Sequence, residues 1–381
     1  LARLAGRPKM AELTPRMKEL VQPYLAGIEP YDPNFTPTRI NLSANENTYP
    51  VPAGVREAVD AALAATPLNR YPDPMSNDLR DELAAWHGVT RENICVGNGG
   101  DELLYNYLLA FGGAGRTLLN CPPCFSEYAF FASLCQTEVR DVWRDPATFE
   151  LDQAAVLAAA PECNLAIVTS PNNPTGCILN AASLDAVARV AEQSGIYVVC
   201  DDVYNRLVYV DGYERFARRH PELREQTVVI ESFSKPWAMT GWRLGWLAAA
   251  APVIAEIAKA HQYLVSSAVS FEMDAAARAL TVDPTPMLKV YRARRERVLT
   301  ALNNMGLDVV EPEGAFYAFP SIKKFGLTSE DFCIKAIKEA NVALVPGDCF
   351  STEGHIRLSY CVSDKDLDEG LTRLSTFVST L

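Results

Sequence analysis

From Ile94 onward the chain alternates short apolar, β-branched runs with stretches of helical spacing. No other feature restricts its fold as much. Ile94-Cys95-Val96, Thr117 to Asn120, Glu138 to Val142, Leu165 to Thr169, Ile196 to Cys200 and Thr227 to Ile230 read as strands. The segment ending at Phe111, Phe125 to Leu134, Leu151 to Ala159 and Ala181 to Gln193 read as helices between them. Strands alternating with helices predict an α/β fold, with a mostly parallel central sheet flanked by helices on both faces.

Both flanks of this region read differently. Upstream, Glu12 to Leu25, Pro52 to Ala65 and Ser76 to Trp86 have helical spacing, the second with Pro52 in its first turn and the third started by Ser76 or Asn77. Pro30 to Pro37 is proline-rich and irregular. From about Asp283 the pattern changes. A charged helix from Thr285 to Met305 reads as a solvated face; Ala315 to Phe319, Asp331 to Ala340, Val342 to Val345, Ile356 to Tyr360 and a helix from Lys365 follow. A smaller α+β domain results. We expect residues 46–284 to form the large domain and residues 1–45 with 285–381 the small one.

Composition narrows the function. A net charge of −12 argues against nucleic acid as a partner, since such binders are basic. The longest apolar run, Leu244 to Ile254, falls short of the ~20 residues that span a bilayer. Leu1 to Met10 is basic without an apolar stretch, unlike a secretory signal, and Met10 is a candidate native start. Ten cysteines follow no framework, and Cys121-x-x-Cys124 lacks a second pair or a histidine cluster. We read them as small buried residues of a reduced, cytoplasmic protein and expect no metal.

Open α/β sheets bind ligands beyond the C-terminal ends of their strands, and three such ends carry polar residues here. Ser170 to Gly176, including Asn173, follows one strand; Asp201-Asp202-Val203-Tyr204 follows the next; Ser232-Phe233-Ser234-Lys235 follows the third. Each alone has a plain structural reading as a turn, a helix cap or a surface charge. Together an amide, a carboxylate and a lysine form a convergent site. Phe233, Trp237, Met239 and Trp242 surround Lys235, and burial favours the neutral, nucleophilic amine that makes Schiff bases. Ser232, Ser234 and Arg243 supply donors for an anion, most simply phosphate. Gly97 to Glu102, between a strand and a helix, adds a second phosphate cradle. An aldehyde that carries a phosphate is pyridoxal 5'-phosphate (PLP). Arg357 lies in the alternating strand Ile356 to Tyr360, where it faces solvent or offers a fork to a carboxylate.

With the glycine cradle, Asn172-Asn173-Pro174-Thr175-Gly176, Asp201 to Tyr204 and the Ser232 to Lys235 block in this order, the chain resembles the fold-type I PLP-dependent aminotransferases of class I/II over nearly its whole length. Asn41 to Pro50, Asn69 to Pro74 and Cys121 to Phe125 look like histidinol-phosphate aminotransferases. Glu313 to Tyr317 and Val345 to Asp348 look more like aspartate and aromatic aminotransferases.

The resemblance implies roles. Lys235 would hold PLP as a Schiff base, and Asp201 would pair with the ring nitrogen. Asn173 and Tyr204 would bond the ring's phenolic oxygen. Phe125 would stack on the ring, where the family usually has Tyr or Trp. Gly99, Gly100, Asp101, Ser232, Ser234 and Arg243 would surround the phosphate. Tyr71 would reach the phosphate of a neighbouring subunit, which implies a homodimer. Arg357 would bind the substrate α-carboxylate, and Asn173 would also line the substrate site. Two departures are Asp201-Asp202, where the family often has Asp-Glu, and Gly-Gly-Asp, where many members have Ser or Ala in the middle. The implied reaction moves an amino group between an amino acid and a 2-oxo acid by a ping-pong route, with Lys235 as proton carrier. A histidinol-phosphate aminotransferase ranks second, then a PLP-dependent lyase or decarboxylase, then a non-catalytic regulator on the same fold.

Overall fold

The computed structural model describes residues 13–25, 37–283 and 285–381. Its centre is a seven-stranded sheet: β1 (Ile94–Gly97), β2 (Thr117–Asn120), β3 (Glu138–Asp141), β4 (Leu165–Thr169), β5 (Tyr197–Asp201), β6 (Thr227–Ser232) and β7 (Gly245–Ala248), in the order β1-β7-β6-β5-β4-β2-β3. Only β7 runs antiparallel to its neighbours β1 and β6; the pairs from β6 to β3 are parallel.

The helices that position the site are α1 (Val55–Ala65), α2 (Asn77–His87), α3 (Gly100–Phe111), α4 (Glu127–Leu134), α5 (Gln153–Ala159), α6 (Ala181–Ser194), α7 (Ala251–Val265), α8 (Ser270–Leu280), α9 (Thr285–Asn304) and α10 (Asp364–Val378). Period-two alternation sorts the sheet's side chains between two faces. Leu165, Ile167, Val199, Val228 and Ile230 pack with α3, α4 and α7, while Ala166, Val168, Val198, Cys200 and Val229 pack with α5 and α6. Apolar surface is thereby removed from water on both sides, as a parallel sheet requires.

Several helix boundaries differ from the sequence reading. Pro52 lies outside α1, which starts after Gly54 in a left-handed conformation (φ 82°). Ser76 precedes α2 but makes no capping bond. Asp73 caps instead, accepting from the amides of Asn77 at 2.8 Å and Met75 at 2.9 Å. The predicted helix from Glu12 to Leu25, whose first residue lies outside the described ones, is a single short helix (Pro15–Leu20) and a 3-10 turn (Pro23–Leu25). Pro23 forbids continuation, because it lacks an amide hydrogen. The run Leu244 to Ile254 is β7 and the start of α7, and α8 was not anticipated.

Beyond α8, three antiparallel strands, β8 (Tyr317–Ala318), β9 (Val345–Pro346) and β10 (Ile356–Ser359), take the order β9-β10-β8. Ile40–Asn41 pairs in parallel with Val342–Ala343. β8, β10, α9 and α10 share one core with Ile40 and Leu42, and Tyr204 and Leu207 belong to the same cluster. The basic helix is no solvated face. Arg294 and Arg295 are buried. Arg294 pairs with Asp364 at 3.0 Å and Arg297 with Asp368 at 2.9 Å, tying α9 to α10. Arg295 bonds Glu311 at 3.0 Å and the Pro312 carbonyl at 2.5 Å. Among the described residues, no helix is long and apolar enough to cross a membrane.

Candidate active site

The same alternation that builds the core aims Thr169, Asp201 and Ser232 at the α3–α4 face, at adjoining strand ends. Asp201 ends β5 and caps no helix. The Tyr128 hydroxyl donates to its Oδ2 at 2.5 Å and sits 2.6 Å from Thr169 Oγ1. The Val203 amide is a weak second donor, 3.4 Å from Oδ1. Burial pushes the carboxyl up to about 6, against the lowering effect of the Tyr128 bond. One carboxylate oxygen is therefore held and the other is left for a cationic partner.

Lys235 follows β6. Its Nζ donates to the Asn45 carbonyl at 2.8 Å, and burial lowers the amine to about 8. A lysine so placed spends part of its time neutral near physiological pH. Its own carbonyl accepts from Asn47 Nδ2 at 2.8 Å, and Tyr291 donates to Asn47 Oδ1 at 2.5 Å. The lysine turn is thus tethered to α9.

Arg243 adopts a left-handed backbone (φ 52°), a costly conformation for a residue with a Cβ. The turn sends its guanidinium to Gly99. A Cβ on Gly99 would meet Nη2 at 3.0 Å, at a backbone φ of +92°. Arg243 also bonds Asp101 Oδ2 and the Thr240 carbonyl, both at 3.1 Å. Together with the free amides that open α3, these groups make an anion cradle. Ser234's amide donates to Ser232 Oγ at 3.0 Å, and the Ser232 hydroxyl, expected to donate to an anion, donates to the Leu244 carbonyl at 3.2 Å. In this structure Ser232 shapes the loop.

Arg357 does not face solvent. It is buried on β10, with Nη1 donating to Asn173 Oδ1 at 2.8 Å and Nη2 to the Ser43 carbonyl at 3.0 Å. Nε has no partner. The rings of Tyr317 and Phe350 lie 4.7 and 4.9 Å from the guanidinium carbon. Tyr204 is buried and hydrogen-bonded to the Tyr317 hydroxyl. Phe125 meets Tyr128 edge-on at 5.6 Å. Tyr71 is 90% exposed and stands apart from this cluster.

Sequence reasoning missed Tyr128, Thr169, Asn45, Asn47 and Tyr317. Tyr128 was legible in part, because it sits one helical turn beyond Phe125. The contacts of Asn45 and Asn47 join positions some 190 residues apart, which no local pattern reveals. Cys121 and Cys124 are buried, with thiols pushed up to about 11 and about 12, chiefly by burial. Neither is poised for thiolate chemistry. No array of three or more potential metal-ligating side chains occurs among the described residues.

A buried amine, a carboxylate with one free oxygen and a glycine–arginine cradle fit an aldehyde that carries a basic ring nitrogen and a phosphate. Fold and site together define a fold-type I PLP-dependent enzyme. A profile of the class I and II aminotransferases matches residues 37–374, and the chain belongs to that family. It is 33% identical over 352 residues to a probable N-acetyl-LL-diaminopimelate aminotransferase of Bacillus subtilis, covering 89% of each chain. It is 35% identical over 308 residues to a histidinol-phosphate aminotransferase of Paenarthrobacter aurescens, covering 78% of this chain and 81% of the relative. The crystal structure of an aspartate aminotransferase from Thermotoga maritima superimposes with a TM-score of 0.85 at 30% identity, covering 89% of this chain and 92% of that one. The protein is a PLP-dependent aminotransferase, an enzyme that transfers amino groups.

Proposed function

We propose that its substrates are α-amino acids and their 2-oxo acids, and that Arg357 recognises the α-carboxylate. The setting of Arg357 carries this reading. A buried guanidinium with neutral oxygens as its hydrogen-bond partners is a poorly compensated charge. An incoming carboxylate supplies the missing charge and a bidentate geometry. Histidinol phosphate has no carboxylate and leaves that charge unmet, so amino-acid donors rank first.

The residue roles follow. Lys235 would hold the aldehyde carbon of PLP, and its amine would carry a proton to and from the substrate Cα. Asp201, oriented by Tyr128, would hold the ring nitrogen protonated, and PLP held there would supply an electron sink for charge at the substrate Cα. Gly99, Gly100, Asp101, Ser234 and Arg243 would hold the phosphate, with Ser232 shaping their loop. Asn173 and Tyr204 would bond the phenolic oxygen, and Phe125 would stack on the ring.

We further propose a cytoplasmic homodimer. Tyr71 and Tyr263 are 90% and 94% exposed, alongside exposed Leu68, Leu264 and Val265. Surface aromatic and aliphatic groups in such number suit burial by a second copy, which would receive Tyr71 at its phosphate. The division into residues 46–284 and residues 1–45 with 285–381 is our reading of the domains; the separate sheets and the core shared by α9 and α10 support it. Steady-state kinetics of Arg357→Ala test the substrate assignment. We expect a large rise in KM for amino acids, and an unchanged KM overturns it.

A further inference from the structure

The C-terminal edge of β5 and β6 carries polar side chains on both faces of the sheet. Asp201 and Ser232 point toward the cofactor side. Their neighbours Asp202 and Glu231 alternate onto the opposite face, where both are buried, 4% and 3% exposed. Nothing in the aminotransferase reaction described above uses this second group.

The charges that bear on Asp202 do not balance. Arg215 Nη1 bonds Glu231 Oε1 at 2.6 Å but lies 3.8 Å from Asp202 Oδ2. Asp202 Oδ2 is buried without a hydrogen-bond partner. His87 Nε2, 4.0 Å from Glu231, accepts a hydrogen bond from the Trp246 indole at 2.9 Å. That nitrogen carries no proton, and burial lowers the imidazole's affinity for one. His87 is therefore neutral. Arg206 lies over the rings of Trp86 and Trp237, at 4.3 and 5.2 Å. Tyr213 gives its hydroxyl proton to the Ser170 carbonyl at 2.7 Å, and Cys200 is a buried thiol. Arg206 reaches Glu231 through space, whereas Arg215 is the guanidinium that bears on Asp202, against the carboxyls of Glu231 and Asp201.

We propose that Asp202 is a positioning residue that carries a proton at neutral pH, leaving Asp201 as the ionised carboxyl at the end of β5, and that losing this proton at alkaline pH is felt at Asp201. A bare carboxylate at Asp202 Oδ2 would be buried, unbonded and beside two like charges; the protonated form avoids that cost. Burial, with Glu231 and Asp201, holds the Asp202 carboxyl at about 8 despite Arg215. Asp201, at about 6, ionises first. Above pH 8 the new charge next door strengthens the hold of Asp201 on any proton it shares. The functional part rests on the reading of Asp201 as partner of the ring nitrogen. The proton itself does not.

Infrared difference spectroscopy of the full-length holoenzyme between pH 7 and pH 10 tests the proton directly. We expect a protonated-carboxyl band that disappears with a midpoint near 8, is missing in Asp202→Asn and persists in Asp201→Asn. Glu231→Gln should lower the midpoint by about one unit, because it removes a nearby like charge. A pH 7 spectrum without a band that Asp202→Asn removes overturns the proposal, as does a Glu231→Gln midpoint that does not move. The second arm is the visible absorption of the same samples. We expect a component of its pH titration near 8 in the wild type and none in Asp202→Asn; superimposable titrations overturn the link to Asp201. A wild type that takes up PLP without colour contradicts the cofactor reading instead, and leaves the infrared arm to decide the proton.

Discussion

The phenolic oxygen of Tyr128 lies 2.5 Å from Oδ2 of Asp201. A hydrogen bond to a charged group is worth ~1.5–3 kcal/mol, and this one opposes the burial that raises the Asp201 pKa. Tyr128→Phe keeps the ring and removes the donor. The Asp201 carboxyl should then rise above about 6, moving the acid limb of the kcat/KM profile up by roughly one pH unit. A profile that coincides with the wild type would show that the bond does not tune Asp201.

Lys235 should make the apoprotein less stable at neutral pH. Burial lowers its amine from 10.5 to about 8, so between these values the unfolded chain binds more protons than the folded one. Stability from this residue therefore rises with pH across that window, and the full penalty applies below it. Lys235→Met should melt above the wild type at pH 7, with the gap closing between pH 8 and 10.5. Parallel melting curves across that range would contradict a desolvated amine.

Arg357→Ala removes the group proposed to read the α-carboxylate. Loss of a buried charged pair costs ~3–5 kcal/mol, so kcat/KM for amino acids should fall by roughly two to four orders of magnitude. The loss should appear mainly in KM. An amine donor without a carboxylate should be turned over equally well by both proteins. Equal loss for both donors would point to a structural role for Arg357.

Gly99→Ala places a Cβ 3.0 Å from Arg243 Nη2 on a backbone at φ +92°. The backbone conformation disfavours any Cβ, and the half-exposed Arg243 guanidinium must shift within the cradle to admit one. PLP should dissociate about tenfold more readily, as measured by equilibrium dialysis; this corresponds to ~1.4 kcal/mol. An unaltered dissociation constant would place the phosphate elsewhere.

What could be read from the sequence divides along physical lines. Strands such as Leu165 to Thr169 and Thr227 to Ile230 were legible because two-faced burial demands continuous apolar runs. The strand ends were legible because polar residues cluster there. The helix from Ser270 was missed: its alanine-rich stretch follows Ser266 to Val269 without a side-chain cap. Arg294 and Arg295 were misread because a charged heptad looks solvated until its distant acidic partners, Asp364 on α10 and Glu311, are known. Tyr128, Asn47 and the Asp202–Glu231 cluster depend on pairings between distant segments, set by the order of strands rather than by local pattern. The fate of the Ser232 hydroxyl is of the same kind, since its acceptor lies across the turn at Leu244.

The most direct measurement is to load the protein with PLP, reduce it with borohydride and locate the added mass by peptide mapping. The label should fall on Lys235, with a visible band before reduction that amino acids bleach and a 2-oxo acid restores. Lys235→Ala should carry no label and show no bleaching. A label on a different lysine, or transamination that survives in Lys235→Ala, would contradict the central assignment.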